Sequence, residues 1–227
     1  MTSRENNRYH KTISVEKSAD MTGEKNLTAR QRQALETKEK IRTVAIDLFR
    51  ERGMDNVTIK DICQQAEVSV GNFYHYFESK EAVTFEILRG FDEWLRGVAA
   101  EEPFDRAVDG IRFVIREQVT GAERVGFEFE LGMFQSQIKM RDGKRMDTDR
   151  FFKTYLTELI ERAMAEGDVH SSYDSTETAE LLLRVSRGIL FDWSIRCGSY
   201  SIGEKTMEAL ELLLRALREP KQHRELS

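Results

Sequence analysis

Apolar side chains recur along this chain at three- and four-residue steps, and no stretch alternates apolar with polar residues between turn signals. That period belongs to helices with one buried face, so the sequence predicts an all-α protein. In TKEKIRTVAIDLFRERG, Ile41, Val44, Ala45, Leu48 and Phe49 share a face, with Lys and Arg opposite. Gly53 stops this first helix, which is expected over about 30–52. Thr58 followed by Asp61 resembles a capping box and opens a second helix whose inner face is Ile59, Ile62, Cys63 and Ala66. Glu67-Val68-Ser69 is a short turn, and Ser69 is placed to cap a third helix over about 70–76. Ser79 then caps a long fourth helix, SKEAVTFEILRGFDEWLRGVAA.

Two short helices joined by a three-residue turn, the second with an outward polar face, form a helix-turn-helix. The stretch VSVGNFYHYFESK is dense in rings, and no single short helix buries all of them. Phe73 and Phe77 are four residues apart and share a face with Val70, which is expected to pack against the first two helices. Asn72 and Tyr76 share the opposite face, with His75 beside it and Tyr74 flanking. Such a face suits the major groove of DNA, where Asn makes a bidentate contact to adenine and Ser or His meets other base edges.

The run TIKDICQQAEVSVGNFYHYFESKEAV resembles the N-terminal DNA-binding domain of the TetR family of bacterial transcriptional regulators. Thr58, Val68, Tyr74, Tyr76, Phe77, Ser79 and Lys80 fill the positions of that family's pattern. Two positions depart from it: Phe73 stands where an aliphatic residue is commoner. Glu67 stands where the turn commonly has Gly, so a side-chain-bearing residue must adopt the turn conformation. The resemblance implies that Thr58 and Lys60 reach the DNA and that the helix-three Tyr and Lys80 bind phosphates. Lys80 also lies at a helix N-terminus, whose amides favour an anion. Pattern and resemblance together give the candidate DNA-binding set: Thr58, Lys60, Ser69, Val70, Gly71, Asn72, Tyr74, His75, Tyr76 and Lys80.

The domain organisation expected from these patterns is a disordered tail over 1–28, the helix-turn-helix domain over 29–80 and a connecting helix over 81–103. An effector-binding and dimerisation domain over 104–219 and a tail over 220–227 complete it. Met21 is a second candidate translation start. The C-terminal domain carries about five helical patterns, with a charged loop, MRDGKRM, between the second and third. Its last two helices are apolar over too wide an arc for one interior, which implies a partner surface. Leu182, Ile189, Leu210, Leu214 and Leu217 are the candidate interface, and the resemblance implies a four-helix bundle between two copies. A twofold homodimer matches a palindromic operator on double-stranded DNA. Trp94, Phe113, Phe127, Met133, Phe134, Tyr155 and Trp193 are candidates to line a pocket for a small apolar effector. Core packing is the competing role for each of them.

Composition narrows the reading. The net charge is −5, yet residues 1–61 hold 13 Lys/Arg against 10 Asp/Glu while residues 62–227 hold 22 against 30. The positive balance lies on the part expected to meet a polyanion. Cys63 and Cys197 each sit in an apolar helical pattern and are expected to be buried free thiols, with no disulfide framework and no metal site. No apolar run is long enough to span a bilayer, and the first thirty residues lack the apolar core of a secretory signal, so a cytoplasmic protein is expected. His10, His75, His170 and His223 are scattered, and no catalytic or phosphate-binding motif appears, so neither an enzyme nor a bound cofactor is expected. The function expected is a ligand-responsive repressor. The alternative is a nucleoid-associated or protein-interaction regulator on the same fold without a small-molecule effector.

Overall fold

A computed structural model of the chain describes residues 28–101, 104–140 and 150–220. The N-terminal tail, Pro103, residues 141–146 of the charged loop, Met21, His10 and His223 lie outside the described residues. The described residues form α1 (Ala29–Arg52), a 3-10 turn (Met54–Asn56), α2 (Ile59–Ala66), α3 (Val70–Tyr76) and α4 (Lys80–Ala100). They continue with α5 (Ala107–Val125), α6 (Phe127–Met140), α7 (Phe151–Ala165), α8 (Ser175–Ile195) and α9 (Ile202–Ala216). No strand occurs among them, and the fold is all-α. The chain divides into two compact units at Gly97 and Val98, so α4 groups mostly with the first unit.

In the first unit the helix boundaries follow from local chemistry. Thr28 and Gln31 form a reciprocal capping box that starts α1. Gly53, at φ 75°, ends α1 and donates its N–H to the Phe49 carbonyl. Thr58 and Asp61 form a second box, the Asp61 amide donating to Thr58 Oγ1 at 3.2 Å and the Thr58 amide to Asp61 Oδ2 at 2.8 Å. The α1 face predicted from spacing is the buried one: Ile41, Ala45, Leu48 and Phe49 are each at most 1% exposed.

The turn between α2 and α3 is closed by Glu67 in the left-handed region, at φ 54° and ψ 43°. The Val68 amide donates to the Cys63 carbonyl and the Glu67 amide to the Gln64 carbonyl, the bond pair of a Schellman close. A side-chain-bearing residue pays about 1–2 kcal/mol for that conformation. An exposed ion pair from Lys40 Nζ to Glu67 Oε2 at 2.9 Å returns part of it and holds the Glu67 carboxyl below the usual carboxylate range.

In the second unit α5 packs against α7 and α9, and α8 packs against α5, α6, α7 and α9. Gly110 permits the close crossing of α5 over α7, because a Cβ there would lie 2.7 Å from Leu159 Cδ2. Val119, Ala122, Leu190, Trp193 and Ile202 make one core cluster, flanked by Phe127, Phe134, Ile189 and Tyr200. The Trp193 indole N–H is satisfied by the Tyr200 carbonyl at 3.0 Å. Asp174 caps α8 through the Glu177 amide and Ser201 caps α9 through the Glu204 amide. Cys63 is buried as expected, and burial raises its thiol pKa, but Cys197 is exposed. Cys197 follows the end of α8 at φ 54°, outside the helix that the apolar pattern had extended over it.

Candidate nucleic-acid interface

The recognition helix α3 is built from a cap, a buried pair and an exposed arc. Ser69 Oγ accepts the Asn72 amide at 3.1 Å and sets the first turn. Phe73 and Phe77 are 0% and 3% exposed, with ring centroids 5.7 Å apart, and anchor the helix to the body of the unit. Val70 does not join them. It is 41% exposed, in the first turn of a seven-residue helix, so the expectation of a packed Val70 is corrected.

The exposed arc is Ser69, Val70, Gly71, Tyr74 and His75, while Asn72 and Tyr76 are half-buried. The helix therefore presents a face rotated from the Asn72–Tyr76 line that spacing suggested. Tyr74 stands 55% exposed, its ring edge-on to Phe73, and His75 packs edge-on to Tyr76. Gly71 is informative. A Cβ there would meet nothing nearer than Ser69 Oγ at 3.9 Å, so the fold does not require glycine in this helix. Glycine costs a helix interior about 1 kcal/mol relative to Ala, and the gain left open is room for a close external approach.

Lys60, in the first turn of α2, and Thr58, its N-cap, are both exposed. Lys60 forms no ion pair among the described residues. The Thr58 hydroxyl is already committed in the capping box, donating to Asp61 Oδ2 at 2.6 Å while accepting the Asp61 amide. Those hydrogen bonds hold the Asp61 carboxyl below its usual pKa. The Lys80 ammonium donates to the carbonyls of Met54 at 2.7 Å and Val57 at 2.9 Å, so two of its three protons serve the fold.

The second-unit candidates separate on inspection. Phe127, Phe134 and Trp193 meet along the α6–α8 contact, Phe127 edge-on to Trp193 at 6.3 Å. Phe113 pairs with Phe104 at 5.2 Å, and Tyr155 stacks on Phe151 at 5.7 Å. Met133 is buried on α6. Trp94 belongs to the first unit, against Phe91 at 5.5 Å. Each ring thus has an aromatic neighbour of its own.

Of the proposed interface residues, Leu182, Leu210, Leu214 and Leu217 are only 2–3% exposed within the protomer and are corrected to internal core. A side chain with no surface left has none to give a partner. The exposed apolar residues of these helices are instead Leu181, Phe191 and Ile195 on α8 and Leu212 on α9, and Ile189 is half-buried.

Sequence reasoning did not single out Glu130. It lies on α6 three residues after Phe127 and four before Phe134, its carboxyl without a hydrogen bond or ion pair among the described residues, and burial raises its carboxyl pKa to about 7. Its unfolded value is about 4.3, so the folded state holds this proton more tightly than the unfolded chain does. Stability is therefore greatest below about pH 4 on this account and falls as pH rises through 7, by roughly 3–4 kcal/mol. Glu130→Gln is expected to recover that amount at pH 8 and little at pH 5, read from denaturant midpoints at both. Equal midpoints for variant and wild type at pH 8 would show that the carboxylate is solvated.

A helix-turn-helix with an exposed recognition arc, followed by a separate helical unit, defines a DNA-binding transcriptional regulator. Residues 41–87 match the family model described as "Bacterial regulatory proteins, tetR family". The chain is 28% identical over 189 residues to the HTH-type transcriptional repressor KstR2 of Rhodococcus jostii, covering 78% of this chain and 89% of that one. It is 27% identical over 173 residues to the HTH-type transcriptional regulator UidR of Escherichia coli K12, covering 71% and 84%. Among solved structures, the Thermus thermophilus FadR repressor in complex with lauroyl-CoA superposes with a TM-score of 0.64 at 22% identity, covering 84% of this chain and all of that one. A TetR transcription regulator from Haloarcula marismortui gives 0.66 at 15% identity, covering 81% and 98%. Residues 41–87 therefore carry the DNA-binding region of the TetR family, and the curated relatives matched over most of the chain are transcriptional regulators. Among the described residues no helix is long and apolar enough to cross a membrane.

Proposed function

We propose that this regulator is a cytoplasmic repressor that binds a palindromic operator as a homodimer and is released by a small apolar effector. The observation that carries the DNA reading is the exposed arc of Val70, Gly71, Tyr74 and His75, which includes a glycine the fold does not need. These residues face the major groove, with Asn72 at the rim of the contact and Lys60 on a phosphate. The dimer forms through the exposed face of α8 and α9, namely Leu181, Phe191, Ile195 and Leu212. The aromatic and Met-bearing packing of α6 and α8 supports an apolar effector, and the lauroyl-CoA bound by the T. thermophilus repressor of the same fold carries an apolar acyl chain on a polar, anionic coenzyme A. Release follows only if the effector binds the DNA-free conformation better than the DNA-bound one.

Sequencing genomic fragments captured by the purified protein tests the reading. The expected result is one or a few sites sharing an inverted repeat, with half-sites about one helical turn or a multiple of it apart. Many dispersed sites without a common repeat would favour the nucleoid-associated alternative.

A further inference from the structure

We propose that α9 carries a charge pattern complementary to its own reverse, which brings two copies of this chain together antiparallel with Leu212 at the twofold axis. The inference rests on the dimer reading above and fixes which residues meet across it, and in which direction.

The outer line of α9 is Lys205, Glu208, Leu212, Arg215 and Glu219, at alternating three- and four-residue steps. All of them are exposed, Leu212 at 66%. That spacing keeps them on one side of the helix, as in the seam of a two-helix contact. Glu219 extends the line through the turn after Ala216, where its amide donates to the Ala216 carbonyl at 3.3 Å. Within the protomer the line is poorly satisfied. Arg215 and Glu219 form no ion pair among the described residues, and Glu211, the acid one turn before Arg215, is held by Arg112 at 2.6 Å. Lys205 and Glu208 pair at 2.8 Å, but both are more than half exposed, so the pair is worth little and either group is available to a partner.

Read in signs, the line runs positive, negative, apolar, positive, negative. An antiparallel copy runs the other way, so every charge meets its opposite. Lys205 and Glu219 stand equally far from Leu212 in sequence, while Glu208 and Arg215 lie about 6 Å and about 4.5 Å from it along the helix. Side chains as long as Glu and Arg close that difference. Lys205 thus meets Glu219 of the partner subunit, Glu208 meets the partner's Arg215, and the twofold repeats both pairs. A parallel copy in register would set each charge against its like, which is disfavoured. A helix with its charges in another order would also meet repulsion, so the line selects a second copy of this chain.

The exposed stripe of α8 has the same symmetry about Gly188. Leu181 and Ile195, 39% and 53% exposed, stand equally far before and after it in sequence. A Cβ at Gly188 would meet nothing within 4 Å, so the protomer does not require glycine there, although glycine weakens a helix interior. In an antiparallel contact Gly188 lies opposite Gly188 of the partner subunit, where the missing side chains let the two helices approach closely.

The test uses the full chain, with dimer dissociation constants from sedimentation and folding followed by circular dichroism. Glu208→Arg and Arg215→Glu are each expected to weaken self-association roughly tenfold, since like charges replace two pairs per dimer. Mixing these two variants in equal amounts is expected to restore the wild-type constant, because two cations of one chain then face two acids of the other. The double variant Glu208→Arg/Arg215→Glu is expected to recover it as a homodimer. A disulfide reads the axis. In a Cys197→Ser background, which leaves only the buried Cys63, Leu212→Cys is expected to cross-link the dimer on mild oxidation. Lys205→Cys is expected not to, its two copies being about 21 Å apart along the helices. Single charge variants that keep the wild-type constant, or that weaken the dimer without recovery on mixing, would overturn the proposal while dimerisation stands. So would a cross-link at Lys205→Cys in place of Leu212→Cys. Should a charge variant not fold, the two cysteine variants decide. A wild type that sediments as a monomer at micromolar concentration would refute the dimer reading itself, a result distinct from the others.

Discussion

Phe73→Ala is expected to abolish DNA binding by melting the first unit while leaving the second one folded. Phe73 is 0% exposed, edge-on to Tyr74 and 5.7 Å from Phe77, on a helix of only seven residues. A helix so short has no stability of its own and exists through its packing. Truncating a buried Phe costs about 3–5 kcal/mol, comparable with the whole stability of a small domain. The units are separately compact, so the loss is expected as a low-temperature transition in circular dichroism, followed by melting of the remaining helices at the wild-type temperature. Tyr74→Ala is the contrast. Its ring is 55% exposed, so melting is expected within a few degrees of wild type while operator affinity falls. A Phe73→Ala protein that keeps both its single melting profile and its affinity would mean that α3 is not held by this ring.

What could be read from the sequence was local. The caps at Thr58, Ser69, Asp174 and Ser201 were legible because a capping oxygen and its amide lie three residues apart, within reach of a pattern. Glu67 was legible for the same reason, since the turn fixes its backbone whatever the side chain. Periodicity also found the buried face of α1. It failed on α8, which packs against four helices, so nearly every apolar residue has a credible inward role. There Leu182 is core and its neighbour Leu181 is exposed, a difference decided by the partners and not by the helix. The Lys80 contacts were beyond sequence reasoning for a different reason. Their acceptors are backbone carbonyls more than twenty residues away, and carbonyls leave no mark on a sequence. Glu130 was passed over because a carboxylate between two Phe residues on a helix reads as a solvated position until neighbours close over it.

The exposed stripe on α8 and α9 carries the second large expectation, for Leu212→Glu. Leu181, Phe191 and Ile195 are 39%, 43% and 53% exposed, and with Arg184 and Gly188 they recur at three- and four-residue steps along one side of α8. Leu212, at 66%, is the apolar member of the corresponding exposed line on α9, between Glu208 and Arg215. In the isolated protomer a carboxylate at 212 meets water, so the unfolding free energy is expected to stay within about 0.5 kcal/mol of wild type. In the proposed twofold dimer every substitution is made twice, and both new charges enter an apolar seam without partners. An unpaired buried charge costs about 3–5 kcal/mol, which raises the dimer dissociation constant by at least a hundredfold. Leu210→Glu behaves differently, because Leu210 is 3% exposed inside the protomer and its replacement is expected to unfold the second unit outright. Sedimentation at micromolar concentration, paired with circular dichroism, separates the two: folded monomer for Leu212→Glu, misfolded or insoluble protein for Leu210→Glu. The folded monomer is also expected to lose most of its affinity for a palindromic operator, because each half-site is then bound without the other. If Leu212→Glu sediments as the wild-type dimer, the partner surface lies elsewhere on the second unit and this stripe has another use.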